Sequence, residues 1–237
     1  VLVPTGGKDL IRSFGQIVEN VLNKAIWGVD FFMLCDRDSA DTEDIARLQS
    51  EAKGRLRFLE KYHLENYFLD ATVIARMFED LEPEDHWLRN PSKIEARLRE
   101  IALASLSYAA ALIVTTRIRR QVGNVSVMPK GSHSKTVDDL AGLMTLKATE
   151  ESARTQSALN GDEVERLVRH VFKQLSDALQ DPSDAWKSVI PGKQILSQFA
   201  AAAGMDIGRF KLAYLGKVAK YDLPIFNEVT VGSTGRC

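Results

Sequence analysis

Two cysteines, four histidines and a net charge of only −1 put several chemistries out of reach of this 237-residue chain. Cys35 lies inside an apolar run and Cys237 is the last residue, so no disulfide framework is expected, and a reducing cytoplasm is the natural compartment. His63, His86, His133 and His170 show neither His-x-x-x-His nor Cys-His zinc spacing, so the sequence assigns none of them to a metal. No stretch reaches the roughly 18 consecutive apolar residues of a membrane span, and no signal peptide opens the chain; no membrane partner is expected. A G-x-x-x-x-G-K-[ST] phosphate loop is missing too, since Gly6-Gly7-Lys8-Asp9 and Pro191-Gly192-Lys193-Gln194 both fail that template. There is no internal repeat and no low-complexity tract.

The near-zero charge excludes a uniformly basic nucleic-acid binder but conceals segregation. Residues 36–51 carry six acids against two arginines, and residues 79–85 carry five acids with no base. Between Glu100 and Asp138 there is no acid, while Arg117, Arg119, Arg120, Lys130 and Lys135 fall inside. A second acid-free stretch, Ile207 to Tyr221, holds Arg209, Lys211, Lys217 and Lys220.

Hydrophobic residues make up 45% of the chain, enough for one large domain or two small ones. Val1 to Val3 reads as a strand followed by a glycine turn, and residues 9–25 have helical spacing. Phe31 to Cys35 is a second strand, Ile45 to Ala52 a helix, and Arg55 to Leu59 a third strand. That β-α-β-α-β order describes a parallel sheet with crossover helices. From Glu65 onward the pattern turns helical. Ser92 and Glu95 form a capping box that opens a long helix to about Arg120. A loop over residues 122–135, helices over 138–158, 163–179 and 193–203, and a closing strand over 225–231 complete the reading.

The strand at residues 31–35 runs straight into Asp36-Arg37-Asp38. Ligand sites of open α/β sheets gather at the carboxyl ends of strands, and two carboxylates there suit Mg²⁺ or Mn²⁺. An acidic, solvated turn explains the same residues. Glu65, directly after the third strand, would bring a further carboxylate into the crevice, or would simply favour a helix start through the macrodipole. Lys193 stands at a helix start, where a cation is disfavoured by about 0.3–1 kcal/mol unless an anion is near. A phosphate would supply one. The basic residues 117 to 135 have the density of a phosphate-backbone contact surface, or of a solvated charged face.

Gly6-Gly7-Lys8, the strand ending in Asp36-Arg37-Asp38, and the strand leading into Leu64-Glu65-Asn66-Tyr67-Phe68-Leu69 resemble the Toprim nuclease region of the OLD (overcoming lysogenization defect) family, class 2 (Gabija-like). Pro191-Gly192-Lys193 resembles a lysine motif of the same family. The resemblance implies an α/β fold: a Toprim-like parallel sheet flanked by helices, with a large all-helical insertion. Residues 1–75 would form the first part of the core, 76–185 the helical domain, and 186–237 the return segment. It implies a metal-dependent DNA endonuclease using two Mg²⁺ or Mn²⁺ ions, with Asp36 and Asp38 as ligands, Glu65 as a further ligand or orienting group, and Lys193 approaching the phosphate. Implied partners are DNA, an N-terminal ATPase domain of the same protein, and a helicase encoded alongside in anti-phage defence. Toprim domains also use a glutamate ending a first strand, ahead of the glycine turn. Val1 opens this sequence, so a fragment of a longer protein is expected, catalytically crippled if that glutamate is missing.

Two other readings use the same residues. A haloacid-dehalogenase-like phosphatase also places Asp-x-Asp at a strand end and uses a downstream lysine. Against it, Ser39 and Ala40 replace the expected Thr or Val, and Asp138-Asp139 precedes Lys193 instead of following it. A non-catalytic Toprim-like scaffold that binds DNA is the third.

Overall fold

The computed structural model describes residues 33–38, 42–51, 56–123, 126–129 and 136–226. The expected strand at residues 1–3, the helix at 9–25, Lys130, Lys135 and the last residues of the closing strand lie outside them. The chain divides into two compact units. One holds the described residues up to Glu95 together with those from Pro191 onward, and the other runs from Ala96 to Ile190. The chain therefore leaves the first unit and returns to it, with the changes at 95/96 and 190/191 where the sequence reading set them at 75/76 and 185/186.

In the first unit, β1 (Met33–Cys35) and β2 (Leu56–Phe58) pair in parallel, Met33 opposite Leu56 and Cys35 opposite Phe58. Between them α1 (Thr42–Glu51) makes the crossover and packs on β2. Parallel neighbours need such a connection, because a hairpin turn cannot join them. Leu59 N–H donates to the Cys35 carbonyl at 2.9 Å, carrying the pairing one step past the strand ends. A 3-10 turn, Leu64–Phe68, follows, and then α2 (Ala71–Met77), whose first turn is capped by Asp70 Oδ1 accepting from Thr72 and Val73 N–H. After the return, α8 (Gly192–Ala202) packs on the 3-10 turn and α9 (Ile207–Lys220) packs on α2 and α8. Phe68, Tyr214, Ile195, Leu196, Phe199 and Phe210 are buried here, and Tyr214 Oη donates to the Tyr67 carbonyl at 2.9 Å. Burial, and to a smaller degree the nearby Asp70 charge, pushes the Tyr214 hydroxyl far above its usual range, so it stays a donor.

The second unit is helical: the later part of α3 (Pro91–Ala104), α4 (Leu106–Val122), α5 (Val137–Ala158), α6 (Gly161–Gln180) and α7 (Trp186–Val189). Val171, Leu175 and Leu179, four residues apart, form the buried stripe of α6, which packs on α4, where Ala109 and Ala110 are among the buried residues. Arg99 donates to the carbonyls of Leu179, Asp181, Pro182 and Ser183 at 2.7–3.3 Å, pinning the connection after α6.

The single helix expected from Ser92 to Arg120 is two, bent by 56°. Ser105 is buried between them and its Oγ donates back to the Ile101 carbonyl at 2.8 Å, a local bond that competes with the helical ladder and bends it. The expected capping box is not the cap either. Asn90 Oδ1 accepts from Lys93 N–H and Pro91 takes the first helical position, where its missing N–H costs nothing. Ile225 and Phe226, read as the opening of a closing strand, form a 3-10 turn with Pro224, and Phe226 stacks on Tyr67. The helix α9 was missed outright. Among the described residues no single helix is long and apolar enough to cross a membrane.

Candidate metal centre

Asp36 is the first residue past β1, so its side chain emerges at the carboxyl end of the sheet. Its two oxygens have separate tasks. Oδ1 accepts the Leu64 N–H at 2.8 Å, and Oδ2 lies 3.1 Å from Lys193 Nζ. Asp38 takes a left-handed backbone, φ 46°, a conformation aspartate tolerates better than most side chains. Its N–H donates to the Tyr62 carbonyl at 2.9 Å, and its Oδ1 lies 3.2 Å from His63 Nε2. Arg37 Nη1 also donates to the Glu60 carbonyl at 3.2 Å, so the Asp-x-Asp segment is tied to the chain following β2 at four points.

Asp36, Asp38 and His63 each offer one ligand atom, all within 4.8 Å of one another, and this group could hold a metal ion. The sequence assigned no histidine to a metal and singled out His63 only as the one beside the site; the structure places it among the residues that could hold an ion. Spacing rules find ligands on one helix or loop, whereas these come from the ends of two adjacent strands. Burial of the His63 side chain, 6% exposed, also has no signature in a one-dimensional string.

Glu65 follows in the first turn of the 3-10 segment, but its carboxylate is engaged elsewhere: Oε1 lies 2.9 Å from Lys211 Nζ on α9, and Oε2 is buried with no described partner. Burial alone would raise its pKa. The Lys211 hydrogen bond, a backbone hydrogen bond of its own, and the charges of Lys211 and Lys193 more than offset that, so Glu65 is held ionised below the usual range. Lys211 was noted only as a member of a basic stretch. Its pairing with Glu65 needs α9 to fold back across 146 residues.

Lys193 behaves as the helix-dipole argument demands, with one change. The anion that compensates its unfavourable place in the first turn of α8 is the Asp36 carboxylate, 157 residues away in sequence. Partial burial lowers its pKa, but Asp36 first, then Glu65 and Asp38, raise it further, so the ammonium is firmly charged. Its side chain stays 56% exposed. Asn66 sets its position: Asn66 Oδ1 accepts both the His63 N–H at 2.9 Å and the Gly192 N–H at 3.1 Å, fastening the start of α8 to the turn that carries Glu65.

In the other unit, Arg119 and Arg120 are exposed in the last turn of α4 and Arg117 is half-buried one turn earlier. Arg154 of α5, not singled out from the sequence, reaches the same helix end, donating to the Gln121 carbonyl at 3.5 Å and pairing with Glu151. Cations at a helix C-terminus are favoured by the macrodipole, which accounts for the clustering without a ligand.

Comparison with known protein families, with curated proteins and with solved structures finds no match for this chain.

Proposed function

We propose that this chain is the nuclease region of an OLD-family protein, a Toprim-like core that hydrolyses DNA phosphodiesters with two Mg²⁺ or Mn²⁺ ions. The observation that carries the proposal is the grouping of Asp36, Asp38 and His63 at the carboxyl end of the strands, with Lys193 of α8 paired to Asp36 and the Glu65 charge acting on the same lysine. Parallel strand ends, acid pair and lysine occur in the order the family resemblance implies.

The donor set suits a divalent ion. Among the described residues, the buried side-chain atoms without a hydrogen-bond partner are His63 Nδ1, Glu65 Oε2 and Gln194 Oε1, all in the two packed segments that border the acid pair. Unpaired buried polar atoms are costly, and at least the carboxylate and amide oxygens are acceptors that a cation would satisfy. Asp36, Asp38 and His63 would hold an ion, with Glu65 as a further ligand or orienting group, and such ions supply charge stabilisation of the attacking and leaving oxygens. The chain's own residues do the positioning. Leu64 N–H and Lys193 fix the Asp36 carboxylate from two sides, and the exposed Lys193 ammonium can meet an incoming phosphate oxygen. DNA, an ATPase domain of the same protein and a helicase are the proposed partners, with Arg117, Arg119 and Arg120 as phosphate contacts.

The test is plasmid nicking by the complete protein with Mg²⁺ or Mn²⁺, run beside a phosphatase assay on a generic ester. Asp36→Asn or Asp38→Asn should abolish nicking with the circular dichroism spectrum unchanged, since half-exposed acids at a strand end contribute little packing. Full activity in either variant overturns the assignment. The direct Lys193–Asp36 pair also suits a haloacid-dehalogenase-like phosphatase, and ester turnover without nicking would favour that reading.

A further inference from the structure

The imidazole of His63 is held more firmly than a surface histidine has any need to be. Its side chain is 6% exposed, and its ring meets Tyr62 edge to face, with centroids 4.7 Å apart and planes at 86°. His63 precedes the 3-10 turn at the capping position, where its side chain faces the Asn66 backbone in a capping box without a full hydrogen bond, and the reciprocal bond runs from its backbone N–H to Asn66 Oδ1. Capping accounts for where the residue sits, and leaves the ring nitrogens to other partners. Its polar partner is the Asp38 carboxylate, 3.2 Å from Nε2, while Nδ1 is buried and unpartnered. With Nδ1 facing no described partner, Nε2 beside the Asp38 carboxylate is the nitrogen that the buried ring presents to the acid pair.

We infer that His63 supplies a ring nitrogen to the ion held by Asp36 and Asp38, and that the resulting nitrogen–oxygen set selects a first-row transition ion over Mg²⁺. The inference rests on the metal-site reading above and deepens it by naming the ion class. The three ligand atoms lie within 4.8 Å of one another, close to what one ion can bridge, because bonds of about 2.0–2.2 Å place opposite ligands about 4.0–4.4 Å apart. Mg²⁺ demands near-octahedral oxygen coordination at about 2.0–2.1 Å and surrenders its waters reluctantly, so an imidazole adds little to its binding. Mn²⁺, Co²⁺ and Zn²⁺ accept imidazole, with affinity for a mixed site rising from Mn²⁺ to Co²⁺. Two carboxylates alone would not discriminate in this way. One buried ring does.

The experiment loads the full chain with Mn²⁺ and reads the electron spin-echo for coupling to ¹⁴N, with competition by Co²⁺ and Mg²⁺ measured on the same samples. Expected are a directly bound imidazole nitrogen, displacement of Mn²⁺ by Co²⁺ at concentrations at least about tenfold below those of Mg²⁺, and loss of the nitrogen coupling in His63→Gln. The same substitution should weaken Mn²⁺ by about tenfold or more and Mg²⁺ far less. Should His63→Gln not fold, a triple His86, His133, His170→Gln variant that keeps the coupling makes the same assignment. Mn²⁺ bound without ¹⁴N coupling overturns the inference and leaves the carboxylate site standing. Mn²⁺ binding that is absent, or untouched by Asp36→Asn, overturns the metal-site reading itself.

Discussion

Glu65 and Lys211 form the pair whose balance is most easily upset by one atom. The carboxylate is largely buried and would be driven neutral, but Lys211 holds it ionised at 2.9 Å with help from Lys193. Because its folded pKa lies below the ordinary value, the pair contributes stability that is fully present above the unfolded carboxylate pKa. That contribution is lost as pH falls through the folded value. Lys211→Met removes the cation and keeps most of the stem's packing. Burial then acts with less opposition and the Glu65 pKa should move upward, read directly by carboxyl ¹³C NMR titration. The stability difference between pH 7 and pH 4, from urea midpoints, should shrink in the variant. A Glu65 titration unchanged by Lys211→Met would show that Lys193 and the backbone suffice.

At the scale of elements, everything near the site depends on how α8 seats against the 3-10 turn. Gly192 has an ordinary backbone, so what it provides is space. A Cβ there would lie 2.6 Å from Asn66 Cγ and Oδ1 and 2.9 Å from Asn66 N. No side-chain rotation clears a backbone nitrogen, so Gly192→Ala must push α8 away from the turn. The displacement lengthens the Gly192 N–H bond to Asn66 Oδ1 and moves Lys193 off Asp36. The expected cost is about 1–3 kcal/mol, the range of overpacked interiors. A chemical-denaturation midpoint equal to the parent's would mean that the two segments yield without loss. Elsewhere, similar single devices set element boundaries: Ser105 bends α3 from α4, and Asn160 caps α6 by accepting from Asp162 and Glu163 N–H. The i, i+3 and i, i+4 ion pairs along α6 are exposed and contribute little by comparison.

Over the whole molecule both units carry acids and bases, and only local clusters are segregated by sign. The first gathers Asp36, Asp38 and His63 at the carboxyl end of its strands, while the second presents Arg117, Arg119 and Arg120 toward the end of α4. If those arginines contact phosphates, replacing all three by Gln should weaken DNA binding similarly on unrelated sequences. The slope of log K against log salt should fall by about 0.9 per lost contact, near 2.7 in total. Fluorescence anisotropy over a salt series measures it. An unchanged slope would return these residues to the role that the helix macrodipole already explains, and would move the search to Arg209, Lys211, Lys217 and Lys220.

Local chemistry was legible in the sequence wherever neighbours along the chain decide the outcome. The apolar run breaking into Asp36-Arg37-Asp38 ends a strand as expected, and the parallel pairing followed from a helix lying between two strands. The breaks at Asn160-Gly161 and Gly204, the latter at φ 68°, fall where backbone freedom and side-chain capping put them. Tertiary structure decided what depends on distant partners. His63 joins the acids because two strand ends lie side by side, Lys193 finds Asp36 across 157 residues, and Lys211 reaches Glu65 only because α9 folds back over α2 and α8. Ser92 and Glu95 offered a sound cap that Asn90-Pro91 pre-empted, a competition that propensity cannot arbitrate. Periodicity reports which face a residue occupies. Which charge will stand opposite it is an outcome of packing, because the free energy of an ion pair is set by burial and distance, and neither is written in the order of the residues.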